Sequence, residues 1–386
     1  MKGSYRKLDY PLLIVTIILS LFGLVMIFSA SSITSVLLYK SSEYYFFIKQ
    51  AIVLGISLPI SLIIMKIPTK VYRYLSRFMI LGIIGLLILL RTYGTITNSA
   101  QSWFRILGFS VQPSEFAKTA IILYLAAWYG NRKKFNTIYD FFIPLIGCVV
   151  IFFLVALEPD LGTAAIIALI CMFIVFTLPL DKNKIMQLLK TLVLVGLIVA
   201  VIGITFGMNF LTETQKSRFN FLNPCDRYLE ESGYQVCNGY IAMNNGGLLG
   251  NGLGKSTQKY LYLPAAHTDF IFPIIVEELG LVGGAVVIIL YIFLLYRILT
   301  IARNAKSLSG SIIAFGTFSY VLIHIMINLG GVLALIPLTG VPLPFLSYGG
   351  TFILNLSILL ALTQRVAIES KETTIKMINK KEKVRI

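Results

Sequence analysis

Long apolar segments alternate with short polar segments along the whole chain, and this pattern predicts helices that cross a membrane. The first segment, residues 10–39, contains no charged residue. A helix of about 20 apolar residues is long enough to cross the hydrocarbon core of a bilayer. Ten segments meet or approach this description, and they define ten predicted spans: 10–39, 50–65, 78–90, 115–130, 141–157, 161–180, 191–211, 269–296, 310–335 and 351–364.

The basic residues predict how these spans are oriented. An even number of spans places both termini on the same side of the membrane. If that side is cytoplasmic, the segments facing it hold more than two thirds of the 33 Lys and Arg residues, which is the usual bias of membrane proteins. The sequence therefore predicts a single all-α polytopic domain over residues 1–386, with ten transmembrane helices and both termini cytoplasmic. A large extracytoplasmic loop covers about 212–268, and a solvated basic tail covers about 366–386.

The composition supports a membrane protein and excludes two other classes. Hydrophobic residues make up 57% of the chain and charged residues only 13%, with a mean hydropathy of +0.84. This balance is too apolar for an ordinary soluble fold and for intrinsic disorder. The net charge of +16 indicates cytoplasmic loops in so apolar a chain, and we expect no nucleic-acid partner.

The predicted outer loop contains two features of chemical interest. Cys225 and Cys237 face the oxidising side, and we predict that they form a disulfide. The glycine-rich stretch GGLLGNGLGKS lacks the first glycine of a phosphate-binding P-loop, because Leu249 stands there. Two interpretations remain: its backbone amides, with Lys255 and Lys259, cradle a lipid-linked diphosphate, or its glycines serve only to form turns.

Ionisable residues at membrane depth are costly and mark candidate sites. Those near the outer ends of spans include the pairs Glu115 with Lys118 and Glu158 with Asp160, and the single residue Asp269. Each has a simpler structural explanation. Residues three positions apart on a helix form ion pairs, and a carboxylate at the start of a helix caps it.

Proline positions predict two irregular regions. Pro273 should bend the eighth predicted span, because proline removes a helical hydrogen bond. Residues 337–350 contain three prolines and three glycines, so they cannot form one regular helix. Such a segment is tolerated at membrane depth only when it is buried in protein or lines a cavity.

Five motifs follow one another along the chain: WFRILGFSVQPSEFAK (103–118), EPDLGT (158–163), QVCNGYIAMNNGGLLGNGL (235–253), LPAAHTDFIFPIIVEELG (263–280) and PLTGVPLPFLSYGGT (337–351). Together they resemble the SEDS family, the FtsW/RodA proteins of bacterial shape, elongation, division and sporulation. The resemblance covers essentially the whole chain, and its N-terminal segment is more similar to the FtsW branch. The chain departs from the family pattern at Ala265, where an acidic residue is usual, and at Ser102, where an arginine is usual.

The resemblance implies a peptidoglycan glycosyltransferase in the plasma membrane that polymerises lipid II on the extracytoplasmic face. It implies a class B penicillin-binding protein as partner, together with other division or elongation proteins. The catalytic aspartate of the family falls on Asp269. The candidate substrate-binding residues are Trp103, Arg105, Glu115, Lys118, Glu158, Asp160, Arg218, Lys255, Lys259, His267, Ser347 and Tyr348.

The reaction needs a base for the acceptor hydroxyl and positive charge for the departing diphosphate. Asp269 is the predicted base, with His267 as its rival. A divalent cation, Mg²⁺ or Mn²⁺, suits carboxylates and a diphosphate, whereas two histidines make a zinc site improbable and no organic cofactor is expected. Cationic help would come from that ion or from Lys118, Arg105, Lys255 or Lys259, and Trp103 would stack on a sugar. Two other functions stay open: a lipid II flippase and a non-enzymatic scaffold.

Overall fold

The fold is described by a computed structural model. It covers residues 7–97, 100–106, 109–131, 139–158, 160–178, 221–228, 231–260 and 262–385, together with 186 and 190. The helices are α1 (Tyr10–Leu37), α2 (Tyr45–Lys66), α3 (Thr69–Tyr93), α4 (Pro113–Gly130), α5 (Tyr139–Ala156), α6 (Leu161–Phe176), α7 (Glu231–Gly246), α8 (Ile271–Asn304), α9 (Leu308–Val332) and α10 (Gly350–Arg385). A three-stranded antiparallel sheet joins α3 to α4, formed by β1 (Thr95–Thr97), β2 (Ala100–Ile106) and β3 (Phe109–Val111).

Six of the described helices are long and apolar enough to cross a membrane, and α5 and α6 contain shorter apolar helical segments. Nine predicted spans coincide with α1–α6 and α8–α10, while the predicted span 191–211 lies outside the described residues. Helix α3 begins at Thr69, earlier than predicted, because its first turns carry Lys70, Arg73 and Arg77 and therefore look polar. Such side chains extend their charged ends to the interface while their stems cover apolar surface.

The basic tail is not a fully solvated end. Helix α10 continues without interruption from the last predicted span through Arg385. Glu369 on this extension accepts hydrogen bonds from the backbone N–H and hydroxyl of Thr69 at 2.8 and 2.6 Å. A carboxylate at the start of α3 satisfies a backbone donor that the helix leaves unpaired. Glu372 pairs with Lys7 at 3.1 Å, so the first part of the tail is held against the N-terminal segment.

Helix α8 is interrupted at Gly280, not at Pro273. Pro273 lies in the first turn of α8, where the backbone N–H has no helical partner to lose. Gly280 has φ 73° and ψ −179°, and a Cβ there would lie 2.2 Å from the carbonyl oxygen of Leu248. The glycine-rich loop passes through this break and replaces the missing hydrogen bonds, since Gly252 N–H donates to Glu278 and Leu281 N–H donates to Gly247. The glycines of this loop therefore serve a structural purpose.

Residues 333–349 connect α9 to α10 without helical structure. Its second half is buried inside the protein: Leu343, Phe345 and Leu346 are at most 2% exposed, whereas Leu335 and Gly340 in the first half are exposed. Helix α1 packs directly on it, because a Cβ at Gly23 would lie 2.1 Å from the carbonyl oxygen of Phe345. This arrangement meets the requirement that irregular backbone at membrane depth be enclosed by protein.

The described part of the large loop is partly folded. A short 3-10 helix, Pro224–Arg227, packs beside α7, and a disulfide joins Cys225 to Cys237. Helix α7 packs on α8, where Gly239 lies against Phe270 and Gly246 lies against the backbone of Val276. The loop is thereby fixed to the helix that follows the candidate catalytic residue.

Candidate functional site

Asp269 lies at the entrance of α8 and is partly exposed. It is not the capping residue of that helix, since Phe270 occupies the N-cap position. Its carboxylate lies beside Gly340: a Cβ at Gly340 would be 3.2 Å from Asp269 Oδ2. Gly340 has φ 72° and is exposed. Glycine thus allows the non-helical segment to approach the carboxylate closely.

Asn328 on α9 connects the backbone of Asp269 to the non-helical segment that contains Gly340. Its side-chain amide donates hydrogen bonds to the carbonyl oxygens of Asp269 and Val341, both at 2.8 Å. Asn328 is 4% exposed, so these bonds are shielded from water. The residue fixes the backbone position of Asp269 relative to the segment that contains Gly340. Asn328 was not predicted from the sequence, although an amide within an apolar span is a polar signal of the same kind as a charged residue.

Further hydrogen bonds lock the turn before α8 to the non-helical segment. Ser347 Oγ donates to the carbonyl of Thr268 at 2.6 Å and accepts from the N–H of Leu343 at 2.8 Å. The N–H of Tyr348 donates to the carbonyl of His267 at 2.9 Å. Ser347 and Tyr348 therefore fix the backbone of residues 267–268, directly before Asp269.

His267, the rival candidate for the base, is buried. It is 8% exposed, and its ring packs against Phe46 with centroids 4.4 Å apart. Burial lowers the pKa of His267 to about 4, so the imidazole is neutral near pH 7 and takes up a proton reluctantly. Asp269, in contrast, is partly exposed.

The hairpin between α5 and α6 lies on the other side of the Gly340 segment. Gly162, in the first turn of α6, packs against Thr339 and Val341. Asp160 is the N-cap of α6, where its Oδ1 accepts from the N–H of Thr163 at 3.0 Å, and its Oδ2 accepts from Gln112 at 2.9 Å. The capping explanation is therefore correct for Asp160.

Glu158 is the unusual member of this hairpin. It is 3% exposed, and neither of its carboxyl oxygens has a hydrogen-bond partner among the described residues. Burial, reinforced by the neighbouring charge of Asp160, raises the pKa of Glu158 from 4.5 to about 8. The carboxyl group is therefore mostly protonated at pH 7.

The small sheet places Trp103 and Arg105 at the same end of the molecule as the hairpin between α5 and α6. Ser102 Oγ donates to the carbonyl of Glu158 at 3.3 Å, which ties β2 to the hairpin. Trp103 is partly buried, whereas Arg105 is exposed. The guanidinium of Arg105 is therefore accessible to an anionic ligand.

Glu115 and Lys118 form a buried ion pair, as their spacing suggested. Lys118 Nζ lies 2.7 Å from Glu115 Oε1 and 3.3 Å from His324 Nε2. Tyr320 donates to the second oxygen of Glu115 at 3.2 Å. Lys118 is 1% exposed, so it stabilises the packing of α4 on α9 and does not contact a ligand at the surface.

The two lysines of the glycine-rich loop have different environments. Lys259 is 3% exposed and pairs with Glu278 at 2.9 Å, while Ser29 donates to the same carboxylate. Lys255 is exposed. Of these two lysines, only Lys255 has a side chain available to a diphosphate. The carboxylate of Glu277 accepts hydrogen bonds from the hydroxyls of Ser256 and Thr257.

The structure does not test the predictions for Arg218 and for a divalent cation. Arg218 lies outside the described residues. Among the residues that the structure describes, no group of three or more His, Cys, Asp or Glu side chains is placed to hold a metal ion. The described side chains therefore do not form a complete metal cage, and a divalent cation stays a prediction that requires ligands from the substrate.

The helices, their apolar surfaces and the enclosed irregular segment define a multi-pass membrane protein. The chain belongs to the FtsW/RodA/SpoVE family, described as cell cycle proteins, whose family model matches residues 10–372. It is 38% identical over 358 residues to the probable peptidoglycan glycosyltransferase FtsW of Bacillus subtilis (strain 168), covering 91% of this chain and 88% of that protein. The stage V sporulation protein E of the same organism is 36% identical, over 89% of this chain and 92% of the relative.

Solved structures share the fold. The chain superposes with a TM-score of 0.74 on a chain of a peptidoglycan synthase complex that coordinates polymerization and crosslinking, at 23% identity, covering 94% of this chain and 98% of that one. The rod shape determining protein RodA of Thermus thermophilus gives a TM-score of 0.68 at 23% identity, over 94% and 97% of the two chains. The sequence-based assignment to this family, and to its FtsW branch, is confirmed.

Proposed function

We propose that this chain is a peptidoglycan glycosyltransferase that polymerises lipid II, with Asp269 as general base. The FtsW relative named above carries this activity in its name, and the observation that carries the assignment is the placement of Asp269. The residue is partly exposed, its carboxylate lies beside Gly340, and its backbone carbonyl is held by Asn328. A base must be accessible to substrate and held in one orientation to be effective.

The proposed reaction is a single in-line displacement. Asp269 removes the proton from the 4-hydroxyl of the acceptor sugar. That oxygen forms a bond to the anomeric carbon of the donor, while the bond from this carbon to the diphosphate oxygen breaks. The configuration changes from α to β, and the undecaprenyl diphosphate leaves with the electron pair. Lys118 and Lys259 are committed to buried carboxylates. Of the four cationic residues predicted from the sequence, the exposed Arg105 and Lys255 are therefore the two we assign to stabilising the leaving group.

We further propose that Asp269 faces the extracytoplasmic side and that both termini are cytoplasmic. Arg297 and Arg303 lie toward the opposite end of α8 from Asp269, and Arg297 pairs with Asp9 at 2.6 Å. Lys7 pairs with Glu372, so the beginning and the end of the chain lie together. Basic residues concentrate on the cytoplasmic side of membrane proteins, which supports ten spans with this orientation.

The proposed partner is a class B penicillin-binding protein, acting with other proteins of division or elongation. The support is the shared fold with a chain from a complex that couples polymerization to crosslinking. A transpeptidase that acts on the new strand belongs on the same side of the membrane as the polymerase.

Purified protein in detergent tests the function. Labelled lipid II should be converted to glycan polymer, and Asp269→Asn should lower the rate by about 100-fold or more, because the variant has no base. Detergent has no second compartment, so a flippase or a scaffold would give no polymer. Parallel reactions with a transpeptidase and with a chelator address the partner and the divalent cation.

Asp226→Asn is the matched control, since it makes the same change at an exposed aspartate of the outer loop. It should retain the wild-type rate. A near-normal rate for Asp269→Asn would remove Asp269 from the mechanism, and the lack of polymer from folded wild-type protein would contradict the enzymatic function.

A further inference from the structure

A basic pocket lies between α3 and α4, at the end of the molecule opposite Asp269. Its volume is about 590 Å³, and it is lined by residues that include Lys70, Arg73, Tyr74, Arg77, Trp128 and Asn131. The N-terminal end of α4 adjoins the candidate site through Gln112, whereas Asn131 follows its C-terminal end. A helix of this length spans about 27 Å, so the pocket and the site lie at opposite ends of α4.

The pocket concentrates positive charge that the described lining does not neutralise. Lys70, Arg73 and Arg77 recur at helical spacing on α3, and no acidic side chain belongs to the lining that the structure describes. Arg73 Nη1 donates to Asn131 Oδ1 at 3.2 Å, which holds the guanidinium across the gap between the helices. Its Nε atom is buried and has no hydrogen-bond partner among the described residues.

The rim of the pocket is aromatic. Tyr74 and Phe78 are 75% and 63% exposed on α3, and Tyr124 and Trp128 line the α4 side. Aromatic side chains of this kind lie at the level of lipid headgroups. The sequence adds Arg132, Lys133 and Lys134 directly after Asn131, although these three lie outside the described residues.

We propose that this pocket binds the phosphodiester headgroup of an anionic membrane phospholipid. Arg73 and Arg77 supply planar donors for phosphate oxygens, Lys70 supplies a third charge, and the aromatic rim receives the upper part of the acyl chains. Basic pockets between transmembrane helices on the cytoplasmic side are the usual form of such sites. The volume lies within the range of small-molecule pockets. The proposal does not depend on the reaction at Asp269.

Native mass spectrometry of the purified full chain tests it. The protein is equilibrated in detergent with phosphatidylglycerol and phosphatidylcholine that have identical acyl chains, and the ratio of the two bound lipids is measured. Wild type should retain phosphatidylglycerol preferentially. The double variant Lys70→Gln with Arg77→Gln should reduce this preference by about tenfold or more at low ionic strength. Both side chains are exposed, and the Arg73–Asn131 contact is left in place.

The control is Arg303→Gln with Lys306→Gln, which removes one arginine and one lysine that are exposed beyond the same membrane face. It should keep the wild-type ratio. Equal loss in both double variants, or no preference in wild type, would overturn the proposal. So would displacement of the retained lipid by millimolar inorganic phosphate, because a site for a lipid headgroup uses the acyl chains as well. Binding of a soluble polyglutamate peptide in place of phosphatidylglycerol would indicate a protein partner and would also overturn it.

Discussion

Asn328 shows how one buried amide determines the position of a candidate catalytic group. In Asn328→Asp the side chain keeps its size, but a carboxylate cannot donate to the carbonyls of Asp269 and Val341. We expect kcat for polymerisation to fall about tenfold or more. The KM for lipid II should change by a smaller factor. The substitution also introduces a titratable group beside the backbone of Asp269, so the pH–rate profile of this variant should differ from that of wild type.

Asn328→Ala distinguishes a positioning role from a structural one. It removes the same donors without adding charge, so it should lower the rate without moving the pH profile. Asn304→Asp, at the exposed end of α8, is the control for the added charge and should behave as wild type. A wild-type rate in both Asn328 variants would contradict the proposed role of Asn328 in positioning Asp269.

Glu158 should make the stability of the protein depend on pH. Its pKa is about 8 in the folded protein against 4.5 ordinarily, so between these values the native state binds the proton more tightly than the unfolded state. The free energy of unfolding therefore decreases as pH rises from about 4.5 to about 8. Asp160 adds to this shift, while Arg91 opposes it.

Glu158→Gln has no proton to lose, and it should flatten the dependence of the thermal midpoint on pH within this window. Thermal unfolding in detergent at pH 5, 6.5 and 8 measures the effect. Wild type should lose stability relative to the variant as pH rises. A constant difference between the two proteins at all three values would be inconsistent with a buried, protonated Glu158.

At the scale of elements, the break in α8 depends on Gly280. Gly280→Ala should lower the free energy of unfolding by about 2 kcal/mol or more, because the backbone conformation strains any other residue and the Cβ overlaps the carbonyl of Leu248. Gly85→Ala is the control. No atom lies within 4 Å of a Cβ at Gly85, and alanine favours the helix by about 1 kcal/mol. Thermal midpoints in detergent should therefore move in opposite directions, and equal midpoints would argue against the break.

Helices were predictable from the sequence to the extent that apolar patterning defines them. The uncharged segment 10–39 gave α1 nearly to its ends, whereas α3 and α10 extend beyond the predicted spans because their polar turns pack against other protein. The three strands were not predicted, because segments this short show no clear alternation of polar and apolar residues. Long-range contacts determine such strands, as when Thr351 donates to the carbonyl of Ser110.

The site was predictable only in part, for a similar reason. The charged residues were visible in the sequence, but their partners are distant along the chain. Lys118 contacts His324 on another helix, and Lys259 contacts Ser29 and Glu278. Asp269 depends on Asn328 and Gly340, which neither charge nor local spacing connects to it. A single sequence shows which groups are costly to bury, and only the fold shows which of them are compensated.

At the scale of the whole molecule, the two ends differ in charge and in chemistry. Asp269, Glu158 and the sheet lie at one end of α4, and the basic pocket and Asn131 lie at the other. If Asp269 faces outward, Leu253 in the glycine-rich loop is outside the cell and Lys306 is inside. Both side chains are exposed, so a cysteine at either position reacts with a thiol reagent that reaches it. The native Cys148 and Cys171 are buried, and Cys225 and Cys237 form a disulfide.

A membrane-impermeant maleimide should therefore label Leu253→Cys in intact cells and should label Lys306→Cys only after permeabilisation. The unsubstituted chain, which exposes no thiol among its described residues, provides the background. The reverse pattern would place Asp269 in the cytoplasm, where the glycan product is not assembled, and the proposed reaction would then be untenable. Labelling of both variants in permeabilised cells shows that each cysteine is reactive, so protection in intact cells reports on sidedness and not on burial. The labelling pattern and the polymerisation assay in detergent are independent measurements. The orientation of the chain and its chemistry can therefore be tested separately.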